Sequence, residues 1–123
     1  MEKKYKRVST KGLAKKYNFK AYPEPFGIWF RSCIQGAMRR DLDFSLTVRQ
    51  AYDLSQYSCY YCGRNRVSVI DGFRYNGIDR VKNTDGYHQG NVVTCCKTCN
   101  AMKGKLSLVE FIEQAKRIVD NGI

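Results

Sequence analysis

Apolar residues before the first cysteine pair recur at spacings that predict two helices. From Phe26 onwards they lie mostly three or four positions apart, which is the spacing of one helix face. Ser45 or Thr47 can cap a second, shorter helix. The first stripe contains Phe26, Trp29, Phe30, Cys33, Ala37 and Met38, and the second contains Val48, Ala51 and Tyr52, with Leu54 and Tyr57 as further candidates. We expect the aromatic residues of the first stripe in the core rather than on a base-stacking surface.

The middle of the chain predicts short strands joined by turns. Asp71-Gly72 lies between two extended runs, and this dipeptide supplies the positive φ angles of a tight hairpin turn. A polar stretch separates two further apolar runs, so we expect a loop between paired strands. The predicted segments are strands at 67–70, 73–75, 78–81 and 92–94 and a polar loop at 82–90.

Two more helices are predicted at the carboxyl end. One lies near 97–103 and ends around Gly104. The other begins after Ser107, which has Glu110 three positions later in the pattern of a capping box. Its apolar stripe is expected to pack over the cysteine region and consists of Leu108, Phe111, Ile112, Ala115, Ile118 and Val119.

Four of the six cysteines form two Cys-x-x-Cys pairs, Cys59/Cys62 and Cys96/Cys99. Four thiolates close a tetrahedron around zinc and leave no open position for chemistry. The spacing therefore predicts a structural zinc site. The alternatives are reduced core cysteines or a disulfide pair.

The other two cysteines are predicted to be buried side chains. Cys95 adjoins Cys96, so a slipped assignment is conceivable, but Cys96 has the x-x spacing to Cys99 that lets two sulfurs meet at one ion. Cys33 lies on the predicted helix stripe, and free cysteine is among the most often buried residue types.

The net charge of +11 on 123 residues predicts a polyanionic partner. Residues 1–20 hold eight Lys and Arg residues against the single acid Glu2, and such an arm can follow a phosphate backbone. The alternative is a disordered, solubilising tail. A membrane surface fits less well, because these charges lack an apolar helical face. The candidate DNA contacts in the arm are Lys3, Lys4, Lys6, Arg7, Lys11, Lys15 and Lys16.

Length and hydropathy predict one domain without a membrane span. No apolar run approaches the ~20 residues of a membrane helix, and the charged amino terminus is not followed by a signal-peptide run. We therefore expect a cytoplasmic protein, or one in the host cytoplasm if it is phage-encoded, with reduced thiols. The expected parts are a basic arm at 1–24, a helical lead-in at 25–56 and a zinc-stapled core at 57–123.

Polar residues and glycines form a set of motifs in and around the cysteine pairs. In chain order they are Cys59-x-x-Cys62-Gly63, Gly77-Ile78-Asp79-Arg80, Asp85-Gly86-Tyr87, Asn91-Val92-Val93 and Cys96-x-x-Cys99-Asn100-x-x-Lys103. This set resembles that of HNH endonucleases, small phage-type members in particular, over about residues 57–106. The resemblance implies an α+β fold with a zinc-stapled ββα-metal core and a metal-dependent endonuclease that hydrolyses phosphodiester bonds in double-stranded DNA.

The resemblance also implies roles for single residues. Asp79 and Asn100 match the ligands of a catalytic divalent ion, and their oxygens suit Mg²⁺ or Mn²⁺. Asn91 matches an asparagine that fixes the loop. Arg80 stands where the family has a histidine general base; because arginine stays protonated, it can clamp a phosphate but cannot accept a proton. Lys103 is expected to contact a phosphate or to be solvated.

A base must then be found elsewhere. The chain is similar to HNH enzymes with an Asp-Arg pair, including a rare-cutting type II restriction enzyme in which a tyrosine eight residues after the aspartate is implicated in activating water. Tyr87 has that spacing from Asp79. A phenol with an ordinary pKa of about 10 is a poor base, but a guanidinium and a metal favour its ionised form. His88 is the competing base and points the other way in an extended segment.

Three other interpretations stay open at this stage. The missing histidine allows a non-catalytic, zinc-stapled nucleic-acid-binding module. A zinc knuckle that docks on a protein or on ribosomal RNA would explain the charge and the cysteines. Asp79 and Arg80 could also form a structural ion pair. If both DNA strands are cut, a homodimer or sequential nicking is implied, because one ββα-metal site cuts one strand.

Overall fold

The predicted helices and strands are present in the computed structural model, which describes residues 17–123. The described chain is α+β, with four helices and two small antiparallel sheets. In chain order the elements are α1 (Glu24–Arg39), α2 (Val48–Gln56), β1 (Ser68–Ile70), β2 (Phe73–Tyr75), β3 (Gly77–Arg80), β4 (Val92–Cys95), α3 (Lys97–Lys103) and α4 (Leu108–Asp120).

Helix α1 supplies the centre of the aromatic core. Phe26 and Phe30 are fully buried, and Trp29 is nearly so, as the helix stripe predicts. The Phe26 ring meets Tyr52 of α2 and Phe73 of β2 edge to face, at centroid distances of 5.3 and 6.0 Å. The lead-in helices therefore share one core with the first hairpin.

Helix α2 begins at the second of its two candidate caps. Thr47 accepts a hydrogen bond from the Gln50 N–H, and the Gln50 side chain accepts one from the Thr47 N–H, which is a capping box. Leu54 is buried as expected, but Tyr57 is 56% exposed. Tyr57 is the C-cap residue and has extended backbone angles, so its side chain leaves the apolar face of the helix.

The two sheets meet at one buried asparagine. β1 and β2 pair around Asp71 and Gly72, which have φ angles of 46° and 81° as a tight hairpin requires. Next in the chain is Asn76, fully buried, whose amide group donates to the carbonyls of Tyr57 and Arg64 and accepts from the Val67 N–H. Asn76 thereby satisfies backbone groups of the loop that carries the first cysteine pair.

The second sheet and the last two helices surround the cysteines. β3 and β4 pair antiparallel, with Asp79 opposite Val93. Gly104, with a φ of 53°, ends α3, and Ser107 caps α4 with Glu110. The described part of the chain contains no helix long and apolar enough to cross a bilayer.

The apolar stripe of α4 packs over the cysteine region at its beginning alone. Phe111 is buried against Tyr61, with ring centroids 5.2 Å apart. Ile112, Ile118 and Val119 are 36%, 44% and 74% exposed, so the expectation of a fully packed stripe is wrong. The buried cysteine cluster is small and meets α4 at Phe111, and the helix continues beyond it.

Candidate functional site

The four predicted cysteines form one cluster. The Sγ atoms of Cys59, Cys62, Cys96 and Cys99 all lie within 4.8 Å of one another, and those of Cys62 and Cys96 are 3.7 Å apart. Gly63 has a φ of 78°, which lets the chain turn back so that its N–H bonds the Cys59 carbonyl. Four converging sulfurs fit a closed zinc site, in which the metal has a structural role.

Hydrogen bonds from backbone N–H groups to the cysteine sulfurs favour metal binding. Burial acts to raise the pKa of Cys59, but hydrogen bonds from backbone N–H groups, that of Cys96 first, outweigh it and lower this pKa. The thiolate is the form that binds metal. Cys96 lies at the N-cap of α3, where its sulfur accepts a hydrogen bond from the Cys99 N–H.

Cys95 and Cys33 lie outside the cluster, as predicted, but Cys33 is half-buried against the aromatic core rather than fully buried. Cys95 is 1% exposed, and its thiol donates to the Cys96 carbonyl at 3.4 Å. Burial raises the pKa of Cys95, and it raises that of Cys33 to about 12, so both stay thiols near neutral pH.

Asp79 lies at the centre of a buried polar network. Its carboxylate accepts a hydrogen bond of 2.6 Å from the Tyr61 hydroxyl and faces the Lys103 ammonium, which is 3.3 Å from Oδ2 and 3.4 Å from Oδ1. Lys103 also donates to the Arg80 backbone carbonyl at 3.3 Å. Burial first, and then the bond to Asp79, raises the pKa of Tyr61, so this hydroxyl remains a donor. The network ties α3 to β3.

This placement corrects the expectation for Lys103 and for the Asp79 ion pair. The Lys103 side chain is fully buried, so it is neither solvated nor placed at the surface for a phosphate contact. The partner of Asp79 is Lys103 rather than Arg80. Lys103 lies four positions after the buried Cys99 on α3, and positions four apart share a helix face. That spacing could have predicted its burial.

Arg80 and Asn91 hold the polar loop between β3 and β4. Nη1 of Arg80 donates to the backbone carbonyls of Asn83 and Asp85. The Asn91 side chain bonds both backbone groups of Lys82 and donates to the Gly86 carbonyl at 3.0 Å. These three hydrogen bonds hold the backbone of the polar loop, which is the role that the sequence resemblance implies for Asn91.

Tyr87 is buried between the loop and the lead-in. It is 8% exposed, and its hydroxyl accepts a hydrogen bond of 2.7 Å from Nη2 of Arg40. The guanidinium carbons of Arg80 and Arg40 lie 5.5 and 5.7 Å from the centroid of its ring. Tyr87 therefore has two cations within range of cation–π attraction. Local sequence patterns give no signal for the contact with Arg40, because the two residues are 47 positions apart.

The backbone of the lead-in fixes the position of Tyr87. The Tyr87 N–H donates to the Asp43 carbonyl at 2.8 Å, and the Tyr87 carbonyl accepts from the Ser45 N–H at 2.9 Å. A Cβ on Gly86 would lie 2.4 Å from the Asp43 oxygen, so this close approach requires glycine. The lead-in is thus part of the site.

An open cavity of about 520 Å³ brings Tyr87 and Asn100 to one surface. Arg39 and Arg40 also line it.

His88 is exposed on the loop, beside the buried Tyr87. The candidate DNA contacts of the arm lie outside the described residues, namely Lys3, Lys4, Lys6, Arg7, Lys11, Lys15 and Lys16.

Asp79 and Asn100 carry side-chain oxygens of the kind that Mg²⁺ or Mn²⁺ prefers. Asn100 lines the cavity, whereas Asp79 is 7% exposed and is not one of its lining residues. A carboxylate offers about four lone-pair sites, and Tyr61 and Lys103 occupy part of those of Asp79. Among residues 17–123, the four cysteines form the sole group of three or more histidine, cysteine or acidic side chains placed to hold a metal.

The described chain has an α+β fold with an HNH-like arrangement and a four-cysteine cluster. The structure is similar to that of the rare-cutting HNH restriction endonuclease PacI, with a TM-score of 0.58 and 20% identity over 78% of each chain. No family model matches the sequence. Over 84 residues, 68% of this chain, the sequence is 37% identical to uncharacterized protein R423 of Acanthamoeba polyphaga mimivirus. The match spans about 15% of the length of that relative.

Proposed function

We propose that this protein is a metal-dependent endonuclease that hydrolyses phosphodiester bonds in DNA. The fold it shares with an HNH restriction endonuclease supports this function. The observation that carries the proposal is the setting of Tyr87, whose hydroxyl accepts a hydrogen bond from Arg40 and whose ring faces the Arg80 guanidinium. Tyr87 also lines the same cavity as Asn100. A phosphodiester is anionic, and a preorganised cationic site favours the extra charge of its transition state.

Tyr87 is the proposed general base. As the phenolate, it takes a proton from a water molecule while the water oxygen attacks phosphorus. The bond from phosphorus to the 3′-oxygen breaks, and the departing oxygen takes a proton from solvent. The products are a 3′-hydroxyl and a 5′-phosphate. His88 is the weaker candidate because it is exposed, whereas Tyr87 is buried and lines the cavity.

Arg80 is proposed to neutralise the phosphate. Its Nη1 is bound to the loop carbonyls, which fixes the plane of the guanidinium and leaves further donors in the group for phosphate oxygens. Asp79 and Asn100 would hold a Mg²⁺ or Mn²⁺ ion, and the ion supplies charge stabilisation at the scissile phosphate when it is bound. Asn91 keeps the loop, and with it Tyr87, in place.

The remaining parts have supporting roles. Zinc at the four cysteines holds the core, and the basic arm supplies contacts to duplex DNA. The proposed division into arm (1–24), lead-in (25–56) and core (57–123) follows these roles. Cleavage of both strands would need either a homodimer or sequential nicking. The proposed localisation is cytoplasmic.

A non-catalytic nucleic-acid-binding module is the second candidate. The buried pair of Asp79 and Lys103 favours it, because a paired carboxylate has a sufficient structural role without a metal ion. The two candidates differ in whether DNA is cut.

Supercoiled plasmid distinguishes them. The purified, zinc-loaded protein is incubated with plasmid in Mg²⁺, in Mn²⁺ and in EDTA. We expect nicked or linear product with either divalent ion and none in EDTA. Intact plasmid in every condition, with DNA binding retained in a mobility-shift assay, would leave the binding module as the function.

A further inference from the structure

We propose that Arg40, contributed by the lead-in rather than by the ββα core, is a positioning residue for Tyr87. It orients the Tyr87 hydroxyl group during cleavage through a direct hydrogen bond. This inference rests on the proposed function.

The Arg40 side chain is held at two points. Its Nε donates to the Gly36 carbonyl at 3.0 Å, and its Nη2 donates to the Tyr87 hydroxyl oxygen at 2.7 Å. The first bond uses a carbonyl in the last turn of α1, where cations are favoured. A guanidinium anchored in this way loses little further freedom when it holds the phenol, so the bond is preorganised.

The direction of the bond decides what Tyr87 can do. Arginine has donors and no acceptor, so the Tyr87 oxygen must accept from Arg40. The tyrosine proton then points away from Arg40. A charge-assisted hydrogen bond is strong and directional, so Arg40 fixes the orientation of the Tyr87 oxygen that is proposed to take a proton from water.

The chain geometry fixes Arg40 and Tyr87 together. After Arg40 the chain turns at Asp41, which has a φ of 53°, and Leu42 returns a hydrogen bond to the Ala37 carbonyl at 2.9 Å. The next residues, Asp43 to Ser45, carry the backbone bonds to Tyr87. The turn at Asp41 therefore places the Arg40 guanidinium beside the Tyr87 hydroxyl and the backbone of Asp43 to Ser45 beside the backbone of Tyr87.

Arg39 provides a matched control. It is the neighbouring residue, carries the same charge and lines the same cavity, whereas the hydrogen bond to Tyr87 comes from Arg40. If the two arginines act as phosphate contacts alone, replacing either should weaken DNA binding equally and do nothing more. A positioning role for Arg40 predicts an additional loss in the cleavage step.

The test is a double-mutant cycle on plasmid nicking. Arg40→Gln, Arg40→Lys, Arg39→Gln, Tyr87→Phe and the Arg40→Gln/Tyr87→Phe pair are compared by single-turnover rate at saturating protein and by DNA affinity. Zinc content and melting temperature are measured for each, so that loss of fold is recognised.

We expect Arg40→Gln to lower the rate about 10- to 100-fold, the size of one charge-assisted hydrogen bond. Its DNA affinity should fall no more than that of Arg39→Gln. Arg40→Lys, which keeps a donor and a charge, should recover part of the rate. In the Tyr87→Phe background, Arg40→Gln should cause little further loss, because its partner oxygen is gone.

An Arg40→Gln rate equal to that of the unaltered protein overturns the inference. So does an undiminished loss in the Tyr87→Phe background, which would show that Arg40 acts independently of Tyr87. An unfolded Arg40→Gln variant shifts the test to Arg40→Lys, whose full loss of rate in a folded protein would also contradict positioning by a donor. A protein that binds plasmid but never cuts it rejects the proposed function itself.

Discussion

The Lys103 ammonium lies 3.3 Å from a carboxylate oxygen of Asp79, and the Lys103 side chain is fully buried. The two residues are 24 positions apart, and their pairing connects α3 to β3 beside the Tyr61 hydroxyl. A buried ion pair is sensitive to the loss of one partner, because the other charge is then left without compensation. Asp79 therefore has a structural role as well as its proposed metal-binding role.

Lys103→Met should destabilise the fold strongly. Removing one partner of a buried pair costs about 3–5 kcal/mol, and we expect a loss of that order in thermal or urea unfolding. Lys105→Met is the matched control, since Lys105 is exposed and its loss should change stability by less than about 0.5 kcal/mol. The Asp79→Asn/Lys103→Met pair should regain part of the stability. Equal stability of the two single lysine variants would contradict a buried pair.

The same pair affects any experiment on Asp79. Asp79→Ala leaves Lys103 buried without a counterion, so the variant should be less stable as well as inactive. Loss of cleavage by this variant indicates metal binding if zinc content and melting temperature show that the protein is folded at the assay temperature. Asn100→Ala is the cleaner variant, because Asn100 is exposed on α3. It should abolish cleavage without a comparable loss of stability.

Zinc content should depend on four of the six cysteines. Cys59→Ser and Cys96→Ser remove a sulfur from the cluster and should lose the metal and unfold the carboxyl-terminal half. Cys33→Ala and Cys95→Ala should keep one zinc per chain. Native mass spectrometry measures the stoichiometry. Full zinc occupancy in Cys96→Ser would mean that Cys95 replaces it as ligand.

Tyr87→Phe should lose most cleavage activity, by about 10²–10⁴-fold as is typical of a lost general base. Phenylalanine keeps the ring between Phe44 and the two guanidiniums, so zinc content should be unchanged. His88→Ala is expected to cut nearly as well as the unaltered protein. If the histidine variant is the inactive one, the assignment of the base is wrong. If both variants cut normally, neither residue is the base.

Removal of residues 1–16 should make DNA affinity less dependent on salt. The deletion removes seven Lys and Arg residues and Glu2, so fewer counterions are released on binding and the slope of log affinity against log salt becomes shallower. The deletion should end before Tyr17 and Phe19, because the centroids of their rings lie 5.1 and 5.6 Å from that of Phe30. Fluorescence anisotropy at several salt concentrations measures the slope. An unchanged slope would place the phosphate contacts in the described part of the chain.

Short-range patterns in the sequence determined the helices, the strands and the four-cysteine cluster. The two Cys-x-x-Cys spacings, the Asp71-Gly72 turn and the Ser107 capping box each depend on residues a few positions apart, whose geometry the backbone already restricts. For this reason the helices, the hairpin and the four converging sulfurs could be predicted without knowledge of the fold.

Tertiary structure alone decided how the candidate site is assembled. Arg40 and Tyr87 are 47 positions apart, and Asp79 and Lys103 are 24 apart, so each contact depends on how separate elements pack. A lysine or an arginine on a helix is solvated by default, and burial of its charge becomes favourable when packing supplies a specific partner. Tertiary packing also decided the exposure of α4. Its apolar pattern predicts a buried face, but its neighbours reach only the beginning of the helix.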